Sequence, residues 1–326
     1  MKRLKYWFLV FVFGISVKMA FSQTVYLTEK QGAYSYYNNT KSKGNDYITF
    51  GTNVKTLSDY FHQNTPVMKA NKGFDLSALL TGYWDDEYKT CKWNYGLRGE
   101  LNFDFQLFLK ENGKEGKWTV EPPHWQIDIN NTETGHGGML NEGNESSFLK
   151  ELFAVFPRVK EIAPGVNYYD CEHRTCGSLV VFNPDRPLFW LPVTVREIAE
   201  AKLKYYNENE KMLYDFIKPL VDKMSEAELN ASAFNQSNDG ILKLNGKGEG
   251  LQIMRFNPDY WDKSLPPSAV QLLTFIYYEN GYACLNKEDQ EKVNNEYVQN
   301  NGHPNYIQEV SNSLKINELN KLIQKK

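Results

Sequence analysis

Phe182-Asn183-Pro184-Asp185 and Phe256-Asn257-Pro258-Asp259 open two copies of one pattern, F-N-P-D-x5-L-P-x-[ST]-x-x-[EQ]. The first copy runs through Leu191-Pro192 and Thr194 to Glu197, and the second through Leu265-Pro266 and Ser268 to Gln271. Six identities and two similar residues at fixed spacing mark an internal repeat. An apolar run precedes each copy, and the Pro and Asp that follow it end a strand and favour a turn. The Leu-Pro step removes a backbone donor. Thr194 with Glu197, and Ser268 with Gln271, have the spacing of a capping box that opens a helix. Val193 and Ile198 add the spacing of a hydrophobic staple in the first copy.

Extended outward, the first copy predicts strands at Val166–Asp170 and Ser178–Phe182 around a tight connection, then a helix from Thr194. That helix carries Val195, Ile198, Ala199, Tyr206, Leu213, Phe216, Ile217 and Leu220 at helical spacing. The second copy predicts strands at Ile241–Leu244 and Leu251–Phe256, then a helix from Ser268 through Leu273 and Ile276 that stops near Asn280-Gly281. The expectation is a tandem duplicated ββα unit forming an antiparallel sheet with helices on one face. C-terminal helices follow, one from Asn286 to Asn301-Gly302 and a last amphipathic one over Tyr306 to Ile323.

The N-terminal half reads as β-rich. Thr24–Leu27, Tyr47–Phe50 and Phe74–Trp84 are strand candidates, and Asn53 to Gln63 a short helix. In Tyr95 to Lys110, Leu101, Phe103, Phe105, Leu107 and Leu109 alternate with polar residues. A turn at Glu111–Gly116 returns the chain as Trp118-Thr119-Val120, and Gln126–Ile129 continues an antiparallel sheet with one buried face. Phe148 to Phe156 is a short apolar helix candidate. The fold class is therefore α+β, with a signal peptide over 1–22, a β-rich region over 23–160 and the duplicated region with C-terminal helices over 161–326.

Lys2, Arg3 and Lys5 precede an apolar stretch from Trp7 to Val17, and Ala20-Phe21-Ser22 suits a signal peptidase. Cleavage before Gln23 predicts an exported protein, periplasmic or secreted. Removal of Lys2, Arg3, Lys5 and Lys18 takes the net charge from −3 to −7. No later run is long and apolar enough to span a membrane, and the absence of basic excess argues against nucleic acid as a partner.

Four cysteines in an exported chain favour disulfides. Cys171 and Cys176 sit across a hairpin tip, and closing so short a loop stabilises by about 2 kcal/mol. Whether Cys91 and Cys284 bridge the two halves depends on a distance that spacing does not give. Aromatic residues make up 14% of the chain, which suits a strand-rich core or a surface that stacks on sugars or peptides.

No zinc or zincin spacing, nucleophile elbow, phosphate loop or dinucleotide fingerprint occurs, so neither a metal nor a cofactor is expected. His136, in the Gly-rich stretch from Asn130 to Ser147, is the best single candidate for a ligand contact or a base. His124 and its neighbour Trp125 complete the candidate binding set. Trp84-Asp85-Asp86-Glu87 lacks the calcium-loop pattern and reads as a solvated turn, as does Glu172-His173. Asp185 and Asp259 could pair as acid and base but are what a turn after a strand requires.

The signal ending Phe21-Ser22-Gln23 and the segment from Phe182 to Ile198 resemble exported proteins of Gram-negative bacteria with no assigned activity. The resemblance implies export and no catalytic residues. The leading expectation is a non-catalytic binding protein for an extracellular peptide or sugar. The alternative is a secreted hydrolase acting on extracellular polysaccharide or peptide.

Overall fold

In the computed structural model, the described residues are 24–40, 44–83, 95–131, 152–156, 158–170, 177–235, 251–276 and 287–325. The chain begins with β1 (Val25–Tyr26), β2 (Tyr34–Asn38), α1 (Asn45–Asn64), α2 (Pro66–Ala70), β3 (Phe74–Tyr83) and β4 (Arg98–Glu111). It continues with β5 (Lys114–Lys117), β6 (His124–Ile129), β7 (Ala154–Phe156), β8 (Arg158–Ala163), β9 (Val166–Asp170) and β10 (Gly177–Val181). Next come β11 (Trp190–Pro192), α3 (Val195–Asn209), α4 (Lys211–Val221), α5 (Glu226–Leu229), β12 (Phe234–Asn235) and β13 (Leu251–Phe256). The last elements are β14 (Leu273–Ile276), α6 (Lys287–Asn301) and α7 (Tyr306–Ser313). The fold is α+β, as the sequence predicts.

Ten strands form the main sheet, ordered β2-β3-β4-β6-β14-β10-β9-β8, with β1 and β5 on β4. Every pair is antiparallel except β2–β3. Strands from both sides of residue 160 therefore share one sheet. β7, β11 and β12 pair with β13 in a second, four-stranded sheet.

Alternation decides which face of the main sheet is apolar. Leu76, Ala78 and Leu80 of β3 and Leu101, Phe103, Phe105 and Leu107 of β4 all turn to the first face, joined by Trp125 and Ile127 of β6. α1 covers that face with Phe50, Val54, Leu57 and Phe61, one helical stripe. This stripe explains why Tyr47–Phe50, expected as a strand, is helical instead: Phe50 extends it one turn upstream of Val54. The β4–β5 hairpin turns at Asn112 and Gly113, with φ of 52° and 79°, the paired left-handed residues of a type I′ turn. The return strand thus starts at Lys114, four residues before the expected Trp118.

The second face carries the repeat. Phe182 and Phe256, the first residue of each copy, are buried in one cluster with Phe189, Tyr260, Trp261 and Val180. In each corner the Asn side chain accepts an amide two residues on, Asp185 N–H on Asn183 Oδ1 at 3.0 Å and Asp259 N–H on Asn257 Oδ1 at 3.2 Å. Asp185 and Asp259 themselves are exposed.

Past the corners the copies diverge. Thr194 and Glu197 form the expected capping box at the start of α3. The second box does not form, and the expected helix from Ser268 is replaced by β14, seated between β6 and β10. The cause is Asn130, whose Oδ1 accepts the Gln271 and Leu272 amides at 2.8 and 3.1 Å, while its Nδ2 donates to Leu97 and Ala269 carbonyls. Gln271 Oε1 is meanwhile taken by the Asp262 amide. Leu273 and Phe275 then fill the first-face core, which a strand allows and a surface helix would not.

Three other expectations need correction. Ala154–Phe156, expected at the end of a helix, is strand β7 on β13. The helix from Thr194 breaks at Glu210, where φ is −145°, so α3 and α4 are separate. Leu213 and Phe216 of α4 are then 37% and 63% exposed rather than buried. The last helix ends at Ser313 because the Ser313 hydroxyl donates to Val310 O, the carbonyl that the next helical amide would use. A 3-10 turn at Ile316–Lys321 follows. Among the described residues, no helix is long and apolar enough to cross a membrane.

Candidate functional site

The second face of β3, β4, β6 and β14 is polar where the aromatic cluster does not cover it. Even-numbered residues of β4 point there, because the odd-numbered ones fill the core. Three rows of directly opposed residues cross the strands. The first is Thr81, Glu100, Asp128 and Thr274. The second is Leu79, Asn102, Gln126 and Ile276. The third is Ser77, Asp104 and His124. Opposed Cα atoms lie about 5 Å apart and successive rows about 6.7 Å apart.

The side chains are held in place by one another. Asp128 is buried, and its two oxygens accept Gln126 Nε2 at 2.7 Å and Asn131 Nδ2 at 3.3 Å. Asn102 Nδ2 donates to Glu100 Oε1. Asn102 Oδ1 and Thr274 Oγ1 are buried and have no hydrogen-bond partner. Burial pushes the Asp104 carboxyl above its ordinary value, and His124 across the ladder partly offsets this. Asp75, diagonal to Asp104 on the same face, has one oxygen on the Ala33 amide and the other on the Lys117 ammonium. These contacts hold its carboxyl below the usual range despite partial burial.

Of the residues expected to form the site, the structure places His124 here, exposed and opposite Asp104. Trp125 is corrected: the pleat sends it to the other face, where it is fully buried against Phe61 at 5.1 Å and Phe275 at 5.5 Å. His136, Trp84–Glu87, Glu172-His173 and all four cysteines, Cys91, Cys171, Cys176 and Cys284, lie outside the described residues. His62 stacks on Tyr34, and His303 is buried among Tyr26, Tyr297 and Tyr306. Among the described residues, no group of three or more His, Cys, Asp or Glu is arranged to hold a metal ion.

Sequence reasoning did not single out Glu100, Asn102, Asp104, Gln126, Asp128 and Thr274. Their signal was present as the polar half of the alternation in β4 and β6, but it looks the same as a solvated face. No family model, curated protein or solved structure matches the chain.

Proposed function

We propose that the protein is an exported, non-catalytic binding protein whose ligand lies on the polar second face of β4, β6 and β14. The observation that carries this is the ordered grid itself. Carboxylates and amides stand in register on neighbouring strands, fixed by mutual hydrogen bonds and set on a rigid sheet. Such a surface is pre-organised and loses little side-chain entropy on binding.

Hydrolysis of a glycoside needs two carboxyl groups about 5–9.5 Å apart, one of them a proton donor. Asp104, with its raised affinity for a proton, is the natural donor. Glu100, next along its strand face, is four residues away, about 13 Å. Asp75 is nearer but has both oxygens committed. Among the described residues, the Asp104–His124 pair has no second uncommitted carboxylate at the required separation. The predicted export signal supports a ligand outside the cytoplasm, and the lack of basic excess speaks against nucleic acid.

A thermal-shift screen of the mature chain against oligosaccharides, peptides and divalent metals tests the proposal. A ligand whose shift is lost in Glu100→Gln and Asn102→Leu supports it. Turnover of a polymer that is lost in Asp104→Asn would establish the hydrolase instead.

A further inference from the structure

β2 ends the main sheet on one side, and only one of its two edges is used. Ala33 O accepts the Leu76 amide, and the Asn39 amide donates to Leu80 O. These bonds fix the phase of the parallel ladder, in which the odd-numbered residues of this segment bond to β3. The backbone amides and carbonyls of Tyr34, Tyr36 and Asn38 therefore point away from β3. Among the described residues, no strand pairs with them.

The opposite end of the sheet is protected. β8 carries Lys160 and Glu161, both exposed, and its register shifts between Glu161 and Ala163. Charge and irregularity of this kind keep an edge from pairing with another chain. β2 has neither. Tyr34-Ser35-Tyr36-Tyr37-Asn38 holds no charge and no proline, and its register against β3 is unbroken. Tyr37 on this strand is 53% exposed. Ile48, 61% exposed, continues the α1 stripe of Gly51, Lys55 and Asp59 that lies over Tyr36 and Tyr34.

We infer that the open edge of β2 is an interface between two copies of this chain, paired antiparallel about a twofold axis into one continuous sheet. A twofold contact sets the same strip against itself. The chain is net negative, at −3, and a neutral strip is where two like-charged copies approach without repulsion. A foreign peptide added to a sheet edge is selected by pockets for its alternate side chains. On the α1 side of β2 those positions are closed by the strand's own tyrosines. The Tyr34 hydroxyl is bonded to Ser58 and Asp59 at 2.8 and 3.1 Å, and the Tyr36 hydroxyl donates to Gly51 O at 3.2 Å. A second copy needs no pocket, because it pairs through the backbone and draws Tyr37 out of water.

Sedimentation equilibrium of the mature chain over a concentration series tests this, with the fold followed by thermal unfolding. A reversible monomer–dimer equilibrium is expected. Tyr37→Lys sets a charge at the edge, and Asn38→Pro removes an outward amide that β3 does not use. Each should weaken the dimer by about tenfold or more, while the melting temperature at high dilution stays that of the parent. A parent that is monomeric throughout overturns the inference, as does a dimer that both variants leave intact. A monomeric parent that binds the peptide Thr-Val-Thr-Val-Thr, with binding lost in Asn38→Pro, overturns the second copy and assigns the edge to a foreign strand. Should either variant fail to fold, amide exchange at Tyr34 and Tyr36 of the parent decides. Protection that rises with protein concentration supports the interface, and exchange independent of concentration overturns it.

Discussion

Arg186 in one corner of the repeat is bonded to the backbone of Tyr260 in the other, Nε to carbonyl at 2.8 Å. The same guanidinium also donates from Nη2 to the Asp259 and Trp261 carbonyls at 2.6 and 2.9 Å. The two corners are thus locked by a side chain present in the first copy alone, where the second has Tyr260. Arg186→Met should cost about 2 kcal/mol, since hydrogen bonds to a charged group are worth about 1.5–3 kcal/mol when buried and these are partly exposed. Arg186→Lys should recover little of it, because an ammonium cannot make the fork. Urea unfolding measures both, and unchanged midpoints would show that the lock contributes nothing.

Asn130 sits at φ of 53° and makes four hydrogen bonds to buried or partly buried backbone. Asn130→Ala should destabilise by about 4 kcal/mol, leaving the Gln271 and Leu272 amides unpaired. Asn130→Asp keeps the two accepted bonds but sets a carboxylate against two carbonyls, and should be at least as damaging. A mild effect of either, measured by denaturant unfolding, would remove Asn130 as the cause of β14.

The corners are set by asparagine rather than aspartate. Asn183→Ala and Asn257→Ala should each cost about 1 kcal/mol or more, as loss of a cap does. Asn257 should cost the more, because its Nδ2 also donates to Leu188 O. Asp185→Ala and Asp259→Ala, at exposed positions, should stay within about 0.5 kcal/mol. A larger loss at the aspartates than at the asparagines, compared by thermal unfolding, would reverse the assignment.

Thr194 accepts the Glu197 amide while Glu197 accepts the Thr194 amide. Thr194→Ala should cost about 1 kcal/mol and be visible as a lowered urea midpoint. Its absence would mean that packing of Val195 and Ile198 alone positions α3.

Asp104 sets a pH dependence. Burial holds its folded carboxyl above the unfolded value near 3.8, so the ionised form opposes folding at neutral pH. That penalty is present above the folded pKa and is gone once the pH falls below the unfolded one. Asp104→Asn should therefore raise the melting temperature at pH 7, with the two proteins converging near pH 3. A variant less stable than the parent at pH 7 would contradict the cause given for the shift.

Much of the fold was legible because alternation and capping are local. Phe103, Phe105 and Leu107 gave β4, the stretch Glu111–Gly116 gave a turn whose tip is Asn112-Gly113, and Thr194 with Glu197 gave the start of α3. The second helix failed because its competitor was not local. Asn130, 141 residues before Gln271, takes the amides that a capping box would have used. The site was hidden for a related reason. His124 and Trp125 are neighbours in sequence on opposite faces of the sheet, whereas Glu100, Asp128 and Thr274 are neighbours only through strand register. Nothing in the chain prints that register.

Among the described residues β14 is the last strand, and yet it lies at the centre of the main sheet, between β6 and β10. Through most of synthesis β6 and β10 therefore each keep an open edge, awaiting a strand that has not been made. Closure links segments far apart in the chain, a wiring that makes folding slow and leaves unpaired edges free to aggregate meanwhile. A chain wired in this way stays threadable until it is nearly complete, and then closes on its final strand.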